Sequence, residues 1–265
     1  MATDNLLGEF LKARRAQISP TDRDLALSGR RRVAGLRRDE LARQAGISEP
    51  YLTRLEQGVD RNPSPQVVRA LARVLELDAD TTAYFHSLAA PVPDAAPAPD
   101  VSEDVHQLLD SWAGSPAYVR NRRFDVLAAN KAARALAPMY EPGRNLAREV
   151  FLSPEVRELL PDWPQIAEQT VAALRAEADL RDPATAVLLT ELNTSADFLC
   201  LWEKHDARPS RDELKRFAHL IVGELSLRRQ ALTVGGAEQQ VIIVYQAAPG
   251  SPSADALARL ITDGN

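Results

Sequence analysis

RRDELARQAGISEPYLTRLEQ, residues 37–57, is the stretch that decides how the N-terminal part of this chain folds. Leu41 and Ala42 fall on one side of a helix, and Ala45 lies one turn later on that side. Gly46 then takes a sharp turn, where a residue tolerant of positive φ is comfortable. Ile47 plugs the corner, Ser48 is placed to cap the next helix, and Leu52 and Leu55 bury its inner face. The small side chain of Ala42 lets two helices cross closely. This spacing predicts a helix-turn-helix whose second helix, residues 48–57, is presented outward.

The same spacing would serve a helical hairpin that only packs, so the surroundings decide between the two. Arg37, Arg38, Arg43, Arg54, Arg61, Arg69 and Arg73 all flank this helix pair. One such arginine reads as an ordinary surface charge, whereas seven match the phosphate backbone of a nucleic acid. The overall net charge of −5 obscures this. Residues 1–90 hold 14 Lys and Arg against 12 Asp and Glu, and residues 91–265 hold 18 against 25. The first part is thus +2 and the second −7, and asymmetry between halves is a mark of a nucleic-acid-binding end.

Working outward, Leu7, Phe10, Leu11 and Ile18 predict a first helix near 4–18. A polar stretch over 19–35 ends in Arg30-Arg31-Arg32. Helices follow near 37–45, 48–57, 65–76 and 79–89, with Ser64-Pro65 as a cap and first-turn proline. APVPDAAPAPDV, residues 90–101, carries Pro91, Pro93, Pro97 and Pro99 and reads as a stiff spacer. Beyond it, residues 117–130 predict two short strands that run into a helix. A long helical section over 144–205 is interrupted at Pro154, Pro161, Pro164 and Pro183. Three strands then begin from 214, with Gly223 and Gly235-Gly236 between them, and a helix closes the chain. The expected domains are residues 1–89, a linker over 90–101, and residues 102–265.

At 265 residues and 45% apolar, the chain is long enough for two packed cores. No apolar run approaches the roughly 18 residues of a membrane span. The N-terminus mixes acids and bases where a signal peptide needs an apolar stretch. Cys200 is the single cysteine, which excludes an intrachain disulfide and points to a reducing cytoplasm. Of 32 basic residues only Lys12, Lys131, Lys204 and Lys215 are lysine, a bias pointing to a GC-rich bacterial genome. His86, His106, His205 and His219 lack metal-ligand spacing, so no metal or cofactor is expected. G-x-S-x-G, P-loop and G-x-G-x-x-G motifs are all missing, and no enzyme is expected. The competing classes are a protein–protein adaptor or dimerisation protein built on a helix-turn-helix, and an enzyme carrying a DNA-binding module. The basic recognition face argues against the first and the missing catalytic spacing against the second.

The 36–76 region resembles the lambda-repressor-like, XRE-type DNA-binding domain. More closely, LGEFLKARRAQISP, GRRRVAGLRRDELA, YLTRLEQG and NPSPQVVRALA resemble the MmyB-like bacterial transcription regulators. PAYVRNRRFDVLAANKAARAL, LWEKHD, KRFAHLIVGEL and AAPGSPSADALARL continue the likeness, so it covers nearly the whole chain. The resemblance implies an α+β, predominantly helical protein. Its parts would be a five-helix DNA-binding domain and a PAS-like antiparallel-sheet domain with a helical insertion. It also implies regulation through a double-stranded DNA operator and a small apolar ligand, with fatty acids proposed. By position, the recognition-helix residues are Ser48, Glu49, Pro50, Thr53 and Arg54, and Arg38 matches a phosphate contact. Arg37, Arg61 and Asn62 complete the expected DNA-contacting set. Glu49 and Pro50 depart from the Gln-rich recognition starts of phage repressors. Leu227-Arg228-Arg229-Gln230 stands where more acidic or aromatic character is expected.

Trp202-Glu203-Lys204-His205-Asp206 has two readings: a cavity wall with a polar group, or a core tryptophan with His205 satisfied by Asp206. A buried fatty-acid carboxylate would need a donor. The expected ligand set is therefore Trp202 and Tyr245 as wall, with His205 or Arg120 as donor. Arg120, Arg122, Arg123 and Arg216 lie in expected strands, where arginine usually takes the wet face; one pointing inward would pair a carboxylate. A homodimer is expected because one helix-turn-helix reads few base pairs. Tyr84, Phe85 and Leu88 are candidates for its contact or for the first domain's own core.

Overall fold

The computed structural model describes residues 5–18, 35–90, 100–209, 213–237 and 239–263. The polar run ending in Arg30-Arg31-Arg32 and the four prolines of the expected spacer lie outside the described residues. The chain forms two compact units, one of Met1–Ala95 with Leu201–Arg208, the other of Ala96–Cys200 with Pro209–Asn265.

The first unit is built on α1 (Leu6–Gln17), α2 (Arg38–Ala45), α3 (Glu49–Gln57), α4 (Pro65–Val74) and α5 (Ala79–Ala89). Short polar side chains start four of these five helices by satisfying orphan N–H groups, and at α2 the Glu40 carboxylate accepts from the Arg37 N–H instead. The Ser48 hydroxyl accepts from the Tyr51 N–H at 3.3 Å, and the Asp78 carboxylate from the Thr81 N–H at 2.7 Å. Gly46 ends α2 at φ 69°, in the left-handed region. The next N–H, of Ile47, donates to the Ala42 carbonyl at 3.0 Å, which turns the chain into α3. Leu11, Leu41, Leu52, Leu55, Leu71 and Phe85 are fully buried at the centre. Each such side chain contributes roughly 1.5–3 kcal/mol of transfer free energy. Gly8 lets α1 lie directly on the end of α3: a Cβ there would stand 2.4 Å from the Glu56 carbonyl oxygen. Tyr84, Phe85 and Leu88 are buried in this same core, with Phe10 5.3 Å from Phe85, so they close the unit rather than offer a surface.

The second unit holds α6 (Glu103–Ser111), β1 (Ala117–Asn121), β2 (Val126–Ala129), α7 (Lys131–Leu136) and a 3-10 turn at Pro138–Tyr140. A run of helices follows: α8 (Leu146–Leu152), α9 (Pro154–Leu159), α10 (Trp163–Glu177), α11 (Pro183–Leu192) and α12 (Ala196–Trp202). β3 (Glu213–His219), β4 (Gly223–Thr233), β5 (Gln240–Ala247) and α13 (Pro252–Asp263) complete it. The strands form one antiparallel sheet in the order β2-β1-β5-β4-β3. This is the α+β, PAS-like arrangement with a helical insertion that the resemblance implied. Three of the four prolines that interrupt the insertion also stand in the first turns of its helices: Pro154 and Pro183 are first helical residues and Pro164 the second, while Pro161 lies in the turn before α10.

Strand alternation gives the sheet two unlike faces. On one, Ala117, Val119, Ile242 and Val244 pack against Val105 and Leu109 of α6. The other carries Tyr118, Arg120, Phe217, Leu225, Leu227, Arg229, Ile243 and Tyr245, all buried. Asn130 ties the edges together: its side-chain oxygen accepts from Ala117 and Ala133 N–H groups, and its nitrogen donates to the carbonyls of Leu109, Trp112 and Ser115. A buried amide is tolerable because it is fully satisfied.

Candidate nucleic-acid interface and effector face

With Leu52 and Leu55 turned into the core, α3 presents its other side to solvent. Ser48, Glu49, Pro50 and Arg54 are exposed there and Thr53 is half-buried. Arg38, Arg61 and Asn62 are exposed nearby, and Arg37 is half-buried. The expected DNA-contacting residues thus lie on α3 and its N-cap, at the start of α2, or on the chain just after α3, and none lies in the core. Arg54 Nε donates to Asp60 Oδ2 at 2.8 Å, and its guanidinium sits 5.8 Å from the Tyr51 ring centre. An exposed pair of this kind is worth about 0.2–1 kcal/mol. Arg54 can therefore exchange Asp60 for a base edge or phosphate at small cost. Arg61 Nε donates to the Gly58 carbonyl at 2.9 Å, which pins the turn after α3.

Glu56, which the sequence reading passed over, is the unusual residue of this region. Its side chain is 0% exposed and sits between two arginines. Arg15 Nε of α1 donates to Oε1 at 2.7 Å, and Arg38 Nε of α2 donates to Oε2. Arg15 also donates through Nη1 to the Leu36 carbonyl at 2.9 Å. The signal was present, since Glu56 lies one residue after Leu55 and four after Leu52, on the buried stripe.

The expected ligand residues are distributed over both units. Trp202 ends α12, and His205, at φ 54°, follows it; both are half-buried and cluster with the first unit. Tyr245 and Arg120 belong to the second unit and lie on the inner face of its sheet, 1% and 2% exposed. The Tyr140 and Tyr245 hydroxyls are 3.1 Å apart, Tyr118 stacks on Tyr140 at 4.6 Å, and Phe217 meets Tyr245 edge-on at 5.5 Å. Arg120 Nη2 donates to Glu177 Oε2 at 2.7 Å, with its guanidinium 4.1 Å from the Phe124 ring centre. Arg120 is thus the inward strand arginine paired with a carboxylate.

Arg229, 7% exposed, stands opposite Tyr245 in the β4–β5 register. Burial pushes the Tyr118 phenol above its usual range, while the charges of Arg229 and Arg120 pull it back. Burial pushes the Tyr140 and Tyr245 phenols well above theirs. The phenols stay neutral at ordinary pH, so this face combines O–H donors with guanidinium charge. Among the described residues there is no group of three or more His, Cys, Asp or Glu that could hold a metal ion, and no helix long and apolar enough to cross a membrane.

The MmyB-like transcription regulator ligand binding domain matches residues 101–260, and a helix-turn-helix domain matches residues 6–85. The chain belongs to the MmyB-like transcription regulators. It is a DNA-binding transcription regulator with a ligand-binding domain. No curated protein matches this regulator. A solved RNA-binding Light-Oxygen-Voltage receptor is similar at 14% identity, over 98% of this chain and 63% of that one, with a TM-score of 0.25. The regulator thus spans less than two thirds of that receptor's length.

Proposed function

We propose that this regulator binds a double-stranded DNA operator in the bacterial cytoplasm as a homodimer. Residues 1–89 supply DNA contact and residues 102–265 sense a small amphiphile with an anionic head, such as a fatty acid. It acts by binding and catalyses nothing. Arg54 reads a base edge from α3, with Ser48, Glu49, Pro50 and Thr53 beside it. Arg37, Arg38, Arg61 and Asn62 meet phosphates. Two half-sites one DNA turn apart give a homodimer the specificity that one helix-turn-helix lacks.

The sensing part of this reading rests on one observation, the burial of Arg229 among phenols on the inner face of the sheet. A buried cation beside neutral donors favours a carboxylate, and aromatic walls favour an acyl chain. Tyr245, Arg120 and Arg229 therefore form the proposed ligand set, and Trp202 and His205 leave it.

The test is thermal unfolding of the full chain with dodecanoate, tetradecanoate or the matching alcohols, alongside operator affinity. Binding at a hundred times Kd stabilises by about 2.7 kcal/mol. The acids are expected to raise Tm more than the alcohols, and to change operator affinity by the same factor by which the operator changes acid affinity. Arg229→Gln is expected to weaken acid binding about tenfold, as for loss of one charged hydrogen bond, while sparing the alcohols. No Tm shift with any of the four would refute the ligand reading. A preference for acids that survives Arg229→Gln would refute the anchor alone.

A further inference from the structure

Leu201–Arg208 follows α12 and precedes β3 in the chain, yet it clusters with the DNA-binding unit. Three side chains of that unit grip its backbone. Arg14 Nη2 donates to the His205 carbonyl at 2.8 Å, Gln17 Nε2 to the Lys204 carbonyl at 2.9 Å, and Thr81 Oγ1 to the Ala207 carbonyl at 3.4 Å. Arg14 Nη2 also reaches Asp206 Oδ1 at 3.3 Å, Arg208 stands 3.9 Å from Asp78, and Ala207 is fully buried. The backbone is bent to receive this grip, since His205 holds a left-handed φ of 54°. A cleft of about 210 Å³ beside the segment, lined by Arg14, Leu75, Thr81 and Asp206, leaves it room to shift.

Arg14 has Arg15 as its neighbour on α1, and the two arginines hold different partners. Arg14 holds the segment, whereas Arg15 holds Glu56 at the end of the recognition helix. Glu56 in turn holds Arg38, the phosphate contact proposed above. The contacts are thus continuous from Leu201–Arg208 through α1 to Arg38, all within one unit.

We propose that Glu56 is a positioning residue for Arg38, and that Leu201–Arg208 controls it by fixing the end of α1. With Arg15 in place, the buried carboxylate divides its attraction between two guanidiniums. When the segment loosens and Arg15 withdraws, Glu56 draws Arg38 inward, away from a phosphate. A regulator can use this to pass ligand occupancy to its DNA-binding face, because the segment is covalently continuous with the ligand-binding domain. The inference rests on Arg38 as a phosphate contact.

The test measures binding of the full chain to a mixed-sequence duplex across a salt series, with Tm confirming that each variant is folded. Arg14→Ala and Thr81→Val loosen the segment at separate points, and each is expected to weaken binding about three- to tenfold. Each is also expected to flatten the salt slope towards that of Arg38→Ala, which should fall by about one. In an Arg38→Ala background neither should have a further effect. Unchanged affinity in both variants, or effects that add fully to Arg38→Ala, would overturn the relay. An Arg38→Ala protein that binds like the native chain would overturn both the phosphate contact and the relay that depends on it.

Discussion

The two units place charge in opposite ways. Residues 1–90 are net positive, yet the buried charged side chains described in the first unit are carboxylates, Glu40 and Glu56. Residues 91–265 are net negative, yet the buried charged side chains described in the second unit are guanidiniums, Arg120, Arg175 and Arg229. The first unit thus keeps its arginines on the surface and orients some of them from within by acids. The second also buries guanidiniums, Arg120 against the Phe124 ring and Arg229 beside the phenols. The proposed partners use this inversion: a polyanion met on the surface of the first unit, and a single anion met in the interior of the second.

The largest expected effect would break the second unit alone. The phenols of Tyr118, Tyr140 and Tyr245 are raised in the folded state, chiefly by burial, so the fold favours their neutral form. Their contribution is fully present below the ordinary phenol pKa of about 10 and is lost as pH rises above it, at about 1.4 kcal/mol per pH unit for each phenol. Phenolate absorbance followed with near-ultraviolet circular dichroism should show these three ionising only as the aromatic packing is lost. Ionisation near the ordinary value with packing intact would show that the inner face is wet, and would remove its contrast with the first unit.

A smaller effect sharpens the contrast between the buried charges. Glu56→Leu takes the carboxylate from Arg15, which is largely buried, while Arg38 can turn to solvent, and is expected to destabilise the first unit by about 3 kcal/mol. Arg229→Met removes a buried charge that hydrogen-bonds the Tyr118 phenol and is expected to cost roughly 1–2 kcal/mol, less than the loss at Glu56. Urea unfolding of the full chain, read from a probe in each unit, checks both. Equal losses would mean that Arg229 is structural, as Glu56 is.

Much of this was legible where the deciding interactions are local. Gly46 and Ser48 act within one turn of their own positions, so the helix-turn-helix could be read directly. The alternation Leu225, Leu227, Arg229 carries the signal for Arg229 on the buried face, and Glu56 lies on the stripe of Leu52 and Leu55, but neither residue was read that way from the sequence. Trp202 and His205 could not be located in this way. Their neighbours include Arg14, 191 residues away from His205 in sequence, and no periodicity encodes such a contact. The place of β1 beside β5 is a long-range pairing of the same kind, invisible to strand-by-strand reading.

The central claim is that α3 reads DNA through its exposed side, and sequencing the fragments retained by the full chain from a randomised duplex library tests it most directly. The native chain is expected to enrich a motif of two half-sites about one DNA turn apart. Arg54→Ala should lose preference at one position of each half-site, at a cost of roughly 1–3 kcal/mol. No enriched motif, or the same motif at full strength with Arg54→Ala, would contradict the account.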